Sequence, residues 1–415
     1  MNNASKFLDS VLKRIDHPSG LTVYLYKMPG FASNYAIFGT RYGSIDNRFR
    51  FGEKIIEVPG GIAHFLEHKM FECADGDAFE KFARYGAYSN AYTSFDRTCY
   101  LFSCTDFFYE NLQNLLNFVS VPYFTEDTVK KEQGIIGQEI TMYDDMPSWV
   151  VFINLLKCLY KDHPVNIDIP GTIESIAQIT PKLLYDCHKT FYTPANMFLC
   201  VCGDFDEDKV VDIIDVEIKG DNAPLPVSIF EKESRSAYKQ SFGAVMQVPK
   251  PLFAFGFKEN PKLSCREIAA KDIAVKLISG ECSPLYKTLL EEKLIDGSFS
   301  GAFSFGRGFA FTSFEGNSDN PQAVADAVLG EIERIKTDGV DISLFEDIKK
   351  GYVGEILKDF DNGEDVAAFI CDCACKGFNP AKYIEEIENL TGKDVKDAID
   401  SFFKDAFAIS TVTAK

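Results

Sequence analysis

The chain has no apolar run approaching the roughly 20 residues that a membrane-spanning helix needs. Its 415 residues are 46% hydrophobic, so the apolar side chains are dispersed among polar ones rather than gathered in one segment. The first nine residues, MNNASKFLD, also lack the apolar stretch of a secretion signal. We therefore expect a cytoplasmic protein without a membrane span.

Basic residues are scarce relative to acidic ones. The chain has 43 Lys and Arg against 62 Asp and Glu, which gives a formal net charge of −19. A protein that binds nucleic acid through its surface carries the opposite balance, so that class is excluded. The acidic excess is compatible with an acidic cavity for basic peptides, and also with a plain solvated surface, which is the simpler interpretation.

The twelve cysteines do not predict disulfides, because the chain shows no secretion signal. The densest run is Cys371-Asp372-Cys373-Ala374-Cys375. On a helix, Cys371 and Cys375 share one face and Cys373 points away, so the run offers at most half of a metal site. We interpret the cysteines as reduced thiols that are mostly buried, since free cysteine packs as a small apolar residue.

Histidine is also rare, yet two of the five histidines are four residues apart. His64-Phe65-Leu66-Glu67-His68 reads H-x-x-E-H, the reverse of the commoner zinc-protease order H-E-x-x-H. Pro59-Gly60-Gly61 predicts a helix start at about Gly61, and residues four apart on a helix share a face. His64 and His68 can thus share a metal ion, with Glu67 as general base for a metal-activated water. A chance pair satisfied within the core is the alternative.

A catalytic zinc usually takes three protein ligands, so a third is expected elsewhere. The best candidates lie in residues 129–140, where apolar residues recur at helical spacing. Glu132 and Glu139 are seven residues apart and project from the same face of that helix. One can bind the metal while the other orients a ligand. An acidic face in solvent is the alternative. His163 and His188 lie in no metal-spaced pattern.

This order of residues resembles the inverzincin metallopeptidases, the group of insulinase, pitrilysin and mitochondrial processing peptidase. The resemblance is dense over residues 20 to 205 and looser afterwards. Further runs that resemble the family are Asn90-Ala91-Tyr92-Thr93, Pro170-Gly171-Thr172-Ile173-Glu174-Ser175-Ile176, and Phe191-Tyr192-Thr193-Pro194-Ala195-Asn196-Met197 followed by Cys202-Gly203-Asp204.

The resemblance implies a zinc endopeptidase that cleaves unfolded or short peptides inside a closed chamber. It implies that His64, His68 and Glu139 bind one Zn²⁺, that Glu67 is the general base and that Glu132 supports the site. The run from Asn90 through Ala91 and Tyr92 to Thr93 would border a peptide that adds to a strand edge.

The order of predicted strands and helices in the first half repeats in the second. We therefore predict an α+β fold of two tandem homologous domains, residues 1–216 and 228–415, joined by a linker at 217–227. Each would be a mostly antiparallel sheet flanked by helices, and together they would form half of a clamshell. The second half has no histidine at the matching position, Lys271–Gly280, so only the first would hold metal.

One departure from the family pattern concerns residues 285–296. Active relatives carry an arginine and a tyrosine in this run, whereas here Leu290 stands at the arginine position and Asp296 at or near that of the tyrosine. The resemblance therefore implies a heterodimer with a related subunit that supplies both groups, or a homodimer. Arg307 is a possible substitute. A non-catalytic subunit of such a heterodimer is the alternative, and a chaperone with a structural zinc fits less well.

Overall fold

The computed structural model describes residues 4–220 and 224–415. Residues 221–223 of the predicted linker, and Met1 to Asn3 of the N-terminus, lie outside the described residues. Where the linker begins and ends remains a prediction. No helix within the described ranges is long and apolar enough to cross a bilayer.

The helices and strands alternate along both halves of the chain. The helices are α1 (Ala4–Val11), α2 (Ile62–Met70), α3 (Ala78–Arg84), α4 (Phe108–Ser120), α5 (Glu126–Asp144), α6 (Pro147–Leu159), α7 (Ile173–Ile176), α8 (Pro181–Phe191), α9 (Glu207–Glu217), α10 (Cys265–Ser279), α11 (Pro284–Glu291), α12 (Pro321–Asp338), α13 (Ile342–Asp359), α14 (Gly363–Lys376), α15 (Pro380–Glu388) and α16 (Gly392–Asp400). The strands are β1 (Leu12–Asp16), β2 (Thr22–Lys27), β3 (Asn34–Thr40), β4 (Arg48–Phe51), β5 (Lys54–Glu57), β6 (Glu72–Cys73), β7 (Gly76–Asp77), β8 (Tyr88–Thr93), β9 (Thr98–Cys104), β10 (Met197–Gly203), β11 (Val227–Ser228), β12 (Ser241–Met246), β13 (Leu252–Lys258), β14 (Ser300–Gly306), β15 (Phe309–Asn317) and β16 (Phe407–Ala414).

Two large sheets have the same topology. The first has the order β1-β2-β10-β3-β9-β8, and the second has the order β12-β16-β13-β15-β14. The pairs β2–β10 and β12–β16 are parallel, and every other pair in the two sheets is antiparallel. The predicted duplicated, mostly antiparallel α+β fold is therefore confirmed. The second sheet has no counterpart of β1 among the described residues, so β12 forms its edge.

Central strands are buried along their whole length. All seven residues of β3 and all seven of β10 are buried, which fits the near-continuous apolar run of β10, Met197 to Cys202. Such a run is typical of a strand covered on both faces, because neither side of the pleat meets water. β8 differs, since it is an edge strand with half-buried and exposed residues.

Each half also buries a helix of the other half. Helix α6 packs on strands β12, β13 and β16 of the second sheet, where Val151 and Leu155 share an apolar cluster with Ala408 and Val412. Helix α14 packs on β3 and β10 of the first sheet. Because apolar burial supplies most of the stabilising free energy, neither sheet is fully covered without the other half of the chain.

All twelve cysteines lie within the described ranges, and none of them forms a disulfide. This agrees with the prediction that they are reduced thiols. Cys371 and Cys373 on α14 are both buried, and Cys371 lies in the same apolar cluster as Cys200 and Cys202 of β10. Burial holds the pKa of the Cys371 thiol well above its usual value, so it is a neutral, unreactive group.

Several elements were not predicted from the sequence. These are α1, β1, the four strands β4 to β7, α9, β11 and the three helices α14 to α16. The helix that carries His64 and His68 was predicted to start at about Gly61 and begins at Ile62, next to Gly61 as N-cap.

A partly buried ion pair joins the two halves. Arg307, in the turn between β14 and β15, donates from Nη2 to Asp46 Oδ2 at 2.6 Å and to the backbone oxygen of Asp96 at 3.0 Å. The Asp46 carboxylate is fully buried and also accepts from the Ser228 hydroxyl. A carboxylate buried in this way needs its cation, because desolvation of an unpaired charge is costly.

We expect Arg307→Met to destabilise the fold by about 3 kcal/mol, at the low end for breaking a buried pair, since the Arg307 side chain is still 33% exposed. Adding Asp46→Asn should recover part of that loss, because the uncompensated charge is removed. Urea unfolding measures both variants. Lys182→Met, which breaks an exposed pair with Asp186, is the matched control and should change stability by no more than about 0.5 kcal/mol. An Arg307→Met protein as stable as that control would contradict the assignment.

Candidate metal centre

The start of α2 is fixed by a close backbone approach. Gly61 precedes the helix with φ 86°, and a Cβ there would lie 2.2 Å from the backbone oxygen of Pro170. Ser175 Oγ also donates to the backbone oxygen of Gly60 at 2.8 Å. Only glycine fits this left-handed, crowded position. The contact sets where the first turn of α2 lies, and with it the side chains that follow.

The structure brings the three predicted metal ligands together. His64 Nε2 lies 3.6 Å from Glu139 Oε1, and His68 Nε2 lies 3.5 Å from Glu139 Oε2. One ligand atom from each residue falls within 4.8 Å of the others, the only such group of three among the described residues. Helix α2 supplies the histidines and the neighbouring α5 supplies the glutamate.

These donors fit a zinc ion. Zinc–nitrogen and zinc–oxygen bonds of about 2.0–2.1 Å at tetrahedral angles place two ligand atoms about 3.4 Å apart, close to the two separations between histidine nitrogen and glutamate oxygen. Burial lowers the pKa of His64 to about 3, with His68 adding to the effect, so the His64 imidazole is neutral and offers a lone pair. Three protein ligands leave a fourth position open, as in catalytic rather than structural zinc sites.

Glu132 lies behind His68 on the same face of α5 as Glu139. Its Oε1 accepts a hydrogen bond from His68 Nδ1 at 3.0 Å. This bond places the proton of the neutral imidazole on Nδ1 and leaves Nε2 free for a metal. The two glutamates thus lie beside the two nitrogens of one ring. Their seven-residue spacing predicted only that they share a face of the helix.

Glu67 is buried beside the ligands, with 8% of its surface exposed. Thr93 Oγ1 donates to Glu67 Oε2 at 2.9 Å, which fixes one carboxylate oxygen. Burial raises the pKa of Glu67 to about 7, although His68 and the Thr93 hydrogen bond act against this. A carboxylate with a pKa near neutrality can both accept and return a proton.

A cavity of about 340 Å³ opens over these groups. Its lining includes all four residues of the predicted peptide-binding run, Asn90, Ala91, Tyr92 and Thr93. They belong to the edge strand β8, whose outer side pairs with no other strand of the described chain. The structure therefore places the predicted strand and the predicted metal ligands around one space.

Sequence reasoning did not find part of this lining. Tyr143, Trp149, Ile169 and Pro170 also border the cavity. Trp149 is the only tryptophan of the chain, and its Nε1 donates to Asp168 Oδ2 at 2.9 Å while its ring lies 5.0 Å from that of Tyr143. A single tryptophan ten residues after Glu139 was the available signal.

The remaining histidines lie elsewhere, each hydrogen-bonded outside the cavity. His163 Nε2 lies 3.2 Å from the backbone oxygen of Arg307, and His188 Nε2 lies 2.9 Å from that of Val119. Arg307 is held in the ion pair described above and does not line the cavity. The structure thus gives no support to Arg307 as the substitute for the missing arginine.

The equivalent helix of the second half, α10, carries an ion pair instead of metal ligands. Lys271 Nζ donates to Glu259 Oε1 at 2.7 Å, and both side chains are buried. A buried lysine satisfied in this way has no lone pair to offer a metal. That only the first half carries metal stays a prediction.

Comparison with protein-family models gives two matches. Residues 57–173 match the model for insulinase (peptidase family M16), and residues 178–352 match that for the peptidase M16 inactive domain. Zinc protease YmfH of Bacillus subtilis is 38% identical over 403 residues, 92% of this chain and 91% of that protein. Zinc protease PqqE of Helicobacter pylori is 23% identical and covers 83% of this chain and 81% of its own length.

Comparison with solved structures also finds peptidases with this fold. An M16-like peptidase from Alicyclobacillus acidocaldarius is 32% identical, with a TM-score of 0.93 over 97% of this chain and 98% of that chain. A protease from Helicobacter pylori, at 20% identity, shares the fold with a TM-score of 0.84 over 97% of this chain and 99% of that chain. On sequence identity across nearly its whole length, the chain belongs to peptidase family M16.

Proposed function

We propose that this chain is the zinc-binding part of an endopeptidase that cleaves unfolded or short peptides. The observation that carries the proposal is the convergence of His64, His68 and Glu139 beside the buried Glu67, in a cavity bordered by a free strand edge. The relatives named zinc proteases support the reaction class.

His64, His68 and Glu139 would hold the ion, and Glu132 would keep His68 in the binding tautomer. A zinc ion bound there would supply Lewis acidity, which polarises the scissile carbonyl and acidifies a water molecule. The cavity is partly enclosed by Trp149 and Tyr143. Exclusion of bulk water by these rings strengthens every charge interaction within the site.

Glu67 would act as the general base. The Thr93 hydroxyl holds Glu67 Oε2, so the other oxygen, Oε1, is available to take a proton from the attacking water. Glu67 would then return that proton to the departing amide nitrogen. Since the surroundings already raise its pKa to about 7, both transfers are nearly balanced at neutral pH.

The peptide would pair with the outer edge of β8 as an additional strand. Backbone N–H and C=O groups of Asn90 to Thr93 would bind the main chain of the substrate, which makes recognition tolerant of sequence. Such pairing requires a substrate segment whose backbone groups are extended and free, as in an unfolded region or a short peptide.

A second subunit would complete the site. No arginine occurs in residues 285–296, Leu290 is 46% exposed on α11, and the Asp296 carboxylate accepts from Ser298. The chain superposes on only 44% of pitrilysin, at 15% identity and a TM-score of 0.78. The rest of the pitrilysin chain is therefore long enough to form a second unit of the size of this protein. We propose a heterodimer with a related chain that carries the arginine and the tyrosine. A homodimer, in which neither copy has these groups at the matching positions, is the alternative.

A non-catalytic assembly subunit is the second candidate. Leucine and aspartate at the two donor positions, Leu290 and Asp296, favour it, and the fold also occurs in a structure titled Complex III2 from Candida albicans, at 14% identity and a TM-score of 0.77. A pure assembly subunit has no need of zinc or of a buried base, so metal content and the Glu67 variant discriminate between the two.

We expect Glu67→Gln to retain zinc and to lower turnover of a long quenched peptide by about 10²- to 10⁴-fold, the usual contribution of a general base. Turnover is measured by fluorescence and zinc by elemental analysis. Glu80→Gln, on the exposed face of the neighbouring α3, is the matched control and should be fully active. Undiminished turnover in Glu67→Gln would refute the role of Glu67.

Glu132→Gln should weaken zinc binding by about 10- to 100-fold, because a neutral amide oxygen is a weaker acceptor for His68 Nδ1–H than the carboxylate. Competition with a chelator of known affinity measures the zinc dissociation constant. Glu126→Gln lies in the exposed first turn of the same helix and serves as control. If the two variants bind zinc equally well, Glu132 does not support the site.

Mixing this chain with a related chain that carries the arginine and tyrosine should raise peptide turnover by about 10²- to 10³-fold, the effect of restoring one oxyanion donor. Size-exclusion chromatography of the mixture should show a new complex. Full turnover by the chain alone, with no gain on mixing, would exclude the heterodimer and leave the homodimer.

A further inference from the structure

A second cavity, of about 200 Å³, lies where the peptide-binding strand ends. Strand β8 stops at Thr93, and the hairpin turn that follows, closed by Ser94 N–H donating to the Arg97 backbone oxygen at 2.8 Å, forms one wall. The facing wall comes from the second half. The lining residues are Ser94, Phe95, Asp96, Arg97, Phe303, Ser304, Phe305, Phe309, Asp372 and Lys376.

Four phenylalanines form the apolar part of this cavity. Phe303 and Phe305 alternate on the edge strand β14 and are half-buried, so part of each ring is open to the cavity. The rings of Phe95 and Phe309 meet edge to face, with centroids 5.7 Å apart at 73°. Phenylalanine walls of this kind favour another aromatic ring, because edge-to-face contacts add to simple apolar burial.

The polar part of the cavity is an ion cluster with no net charge. Arg97 donates from Nη1 and Nη2 to Asp372 Oδ1 at 3.1 Å, and Lys376 Nζ lies 2.7 Å from Asp372 Oδ2. Asp96 is the second carboxylate, 3.7 Å from Arg97 Nη1. Two cations and two carboxylates cancel, so the cluster does not select a charged side chain. Fixed cations do attract the face of an aromatic ring.

Neighbouring residues of the chain line the second cavity and the cavity of the candidate metal centre. Thr93 touches the proposed base, and the very next residue, Ser94, lines the second cavity. A strand advances about 3.3 Å per residue. A peptide paired with β8 at the metal centre would reach the second cavity roughly two to four residues from its scissile bond.

We propose that this cavity is a specificity subsite that takes an aromatic side chain of the substrate, roughly two to four residues from the scissile bond. The proposal rests on the peptidase function proposed above. Phe303 and Phe305 are its specificity-determining residues, and they come from the half that carries no metal ligands. The second half of the chain therefore contributes to substrate choice.

Binding to the zinc-loaded Glu67→Gln chain tests the subsite without turnover. The probes are dye-labelled unstructured peptides in which a single Phe or a single Leu moves one position at a time, read by fluorescence anisotropy. At one position, Phe should bind about five- to tenfold more tightly than Leu. Adding Phe303→Leu and Phe305→Leu should reduce that ratio below about twofold, mainly because the Phe peptide binds more weakly.

Phe242→Leu is the matched control, because Phe242 is a 43% exposed phenylalanine on β12, the opposite edge of the same sheet, and does not line the cavity. It should keep the full Phe preference. No peptide binding, binding without an aromatic preference, or a preference that survives the double change would overturn the subsite. The last result would assign the preference to the Trp149 cavity.

Turnover by the chain with Glu67 intact separates the two proposals. Aromatic preference in binding together with no cleavage by the chain, alone or mixed with a related Arg/Tyr-bearing chain, would uphold the subsite and refute the peptidase. Cleavage of the host peptides with equal kcat/KM for Phe and Leu at every position would uphold the peptidase and refute the subsite.

Discussion

The candidate metal centre depends on the packing of α2 against α5, where two glutamates of α5 lie beside the two ring nitrogens of His68. Glu132 accepts from Nδ1, and Glu139 lies beside Nε2 and beside the Nε2 of His64. The first contact fixes the tautomer that the second requires. Because an imidazole has only these two nitrogens, the ring has no freedom left, and a shift of either helix would disturb both its tautomer and its direction.

Contacts with residues outside the candidate metal centre keep α2 in position against α5. The left-handed Gly61 lets the start of α2 approach the Pro170 backbone, and the Thr93 hydroxyl reaches Glu67 from the edge strand. Buried polar groups of this kind are costly unless each has a partner. The exchange of α6 and α14 between the two sheets gives the rigid frame in which those partners stay in place.

The second half of the chain stabilises the first half and contributes to the surface near the strand edge β8. It covers α6, it supplies Arg307 to the buried Asp46, and its strand β14 forms a wall of the aromatic cavity next to β8. Lys271 and Glu259, paired where the first half has its histidine helix, show how that half stabilises the position without a metal. Apolar and ionic contacts across the halves thus fix the position of β14 relative to the strand edge β8.

The sequence by itself determined the local geometry: four-residue spacing on a helix places His64 and His68 together, and seven-residue spacing aligns Glu132 with Glu139. It also determined the repeated order of strands and helices, through hydrophobic periods that act over a few residues. Only the tertiary structure decided the exchange of α6 and α14, the Trp149 cavity and the partner of Arg307. Asp46 and Arg307 are 261 residues apart, and a periodic pattern carries no information about which distant side chains will meet.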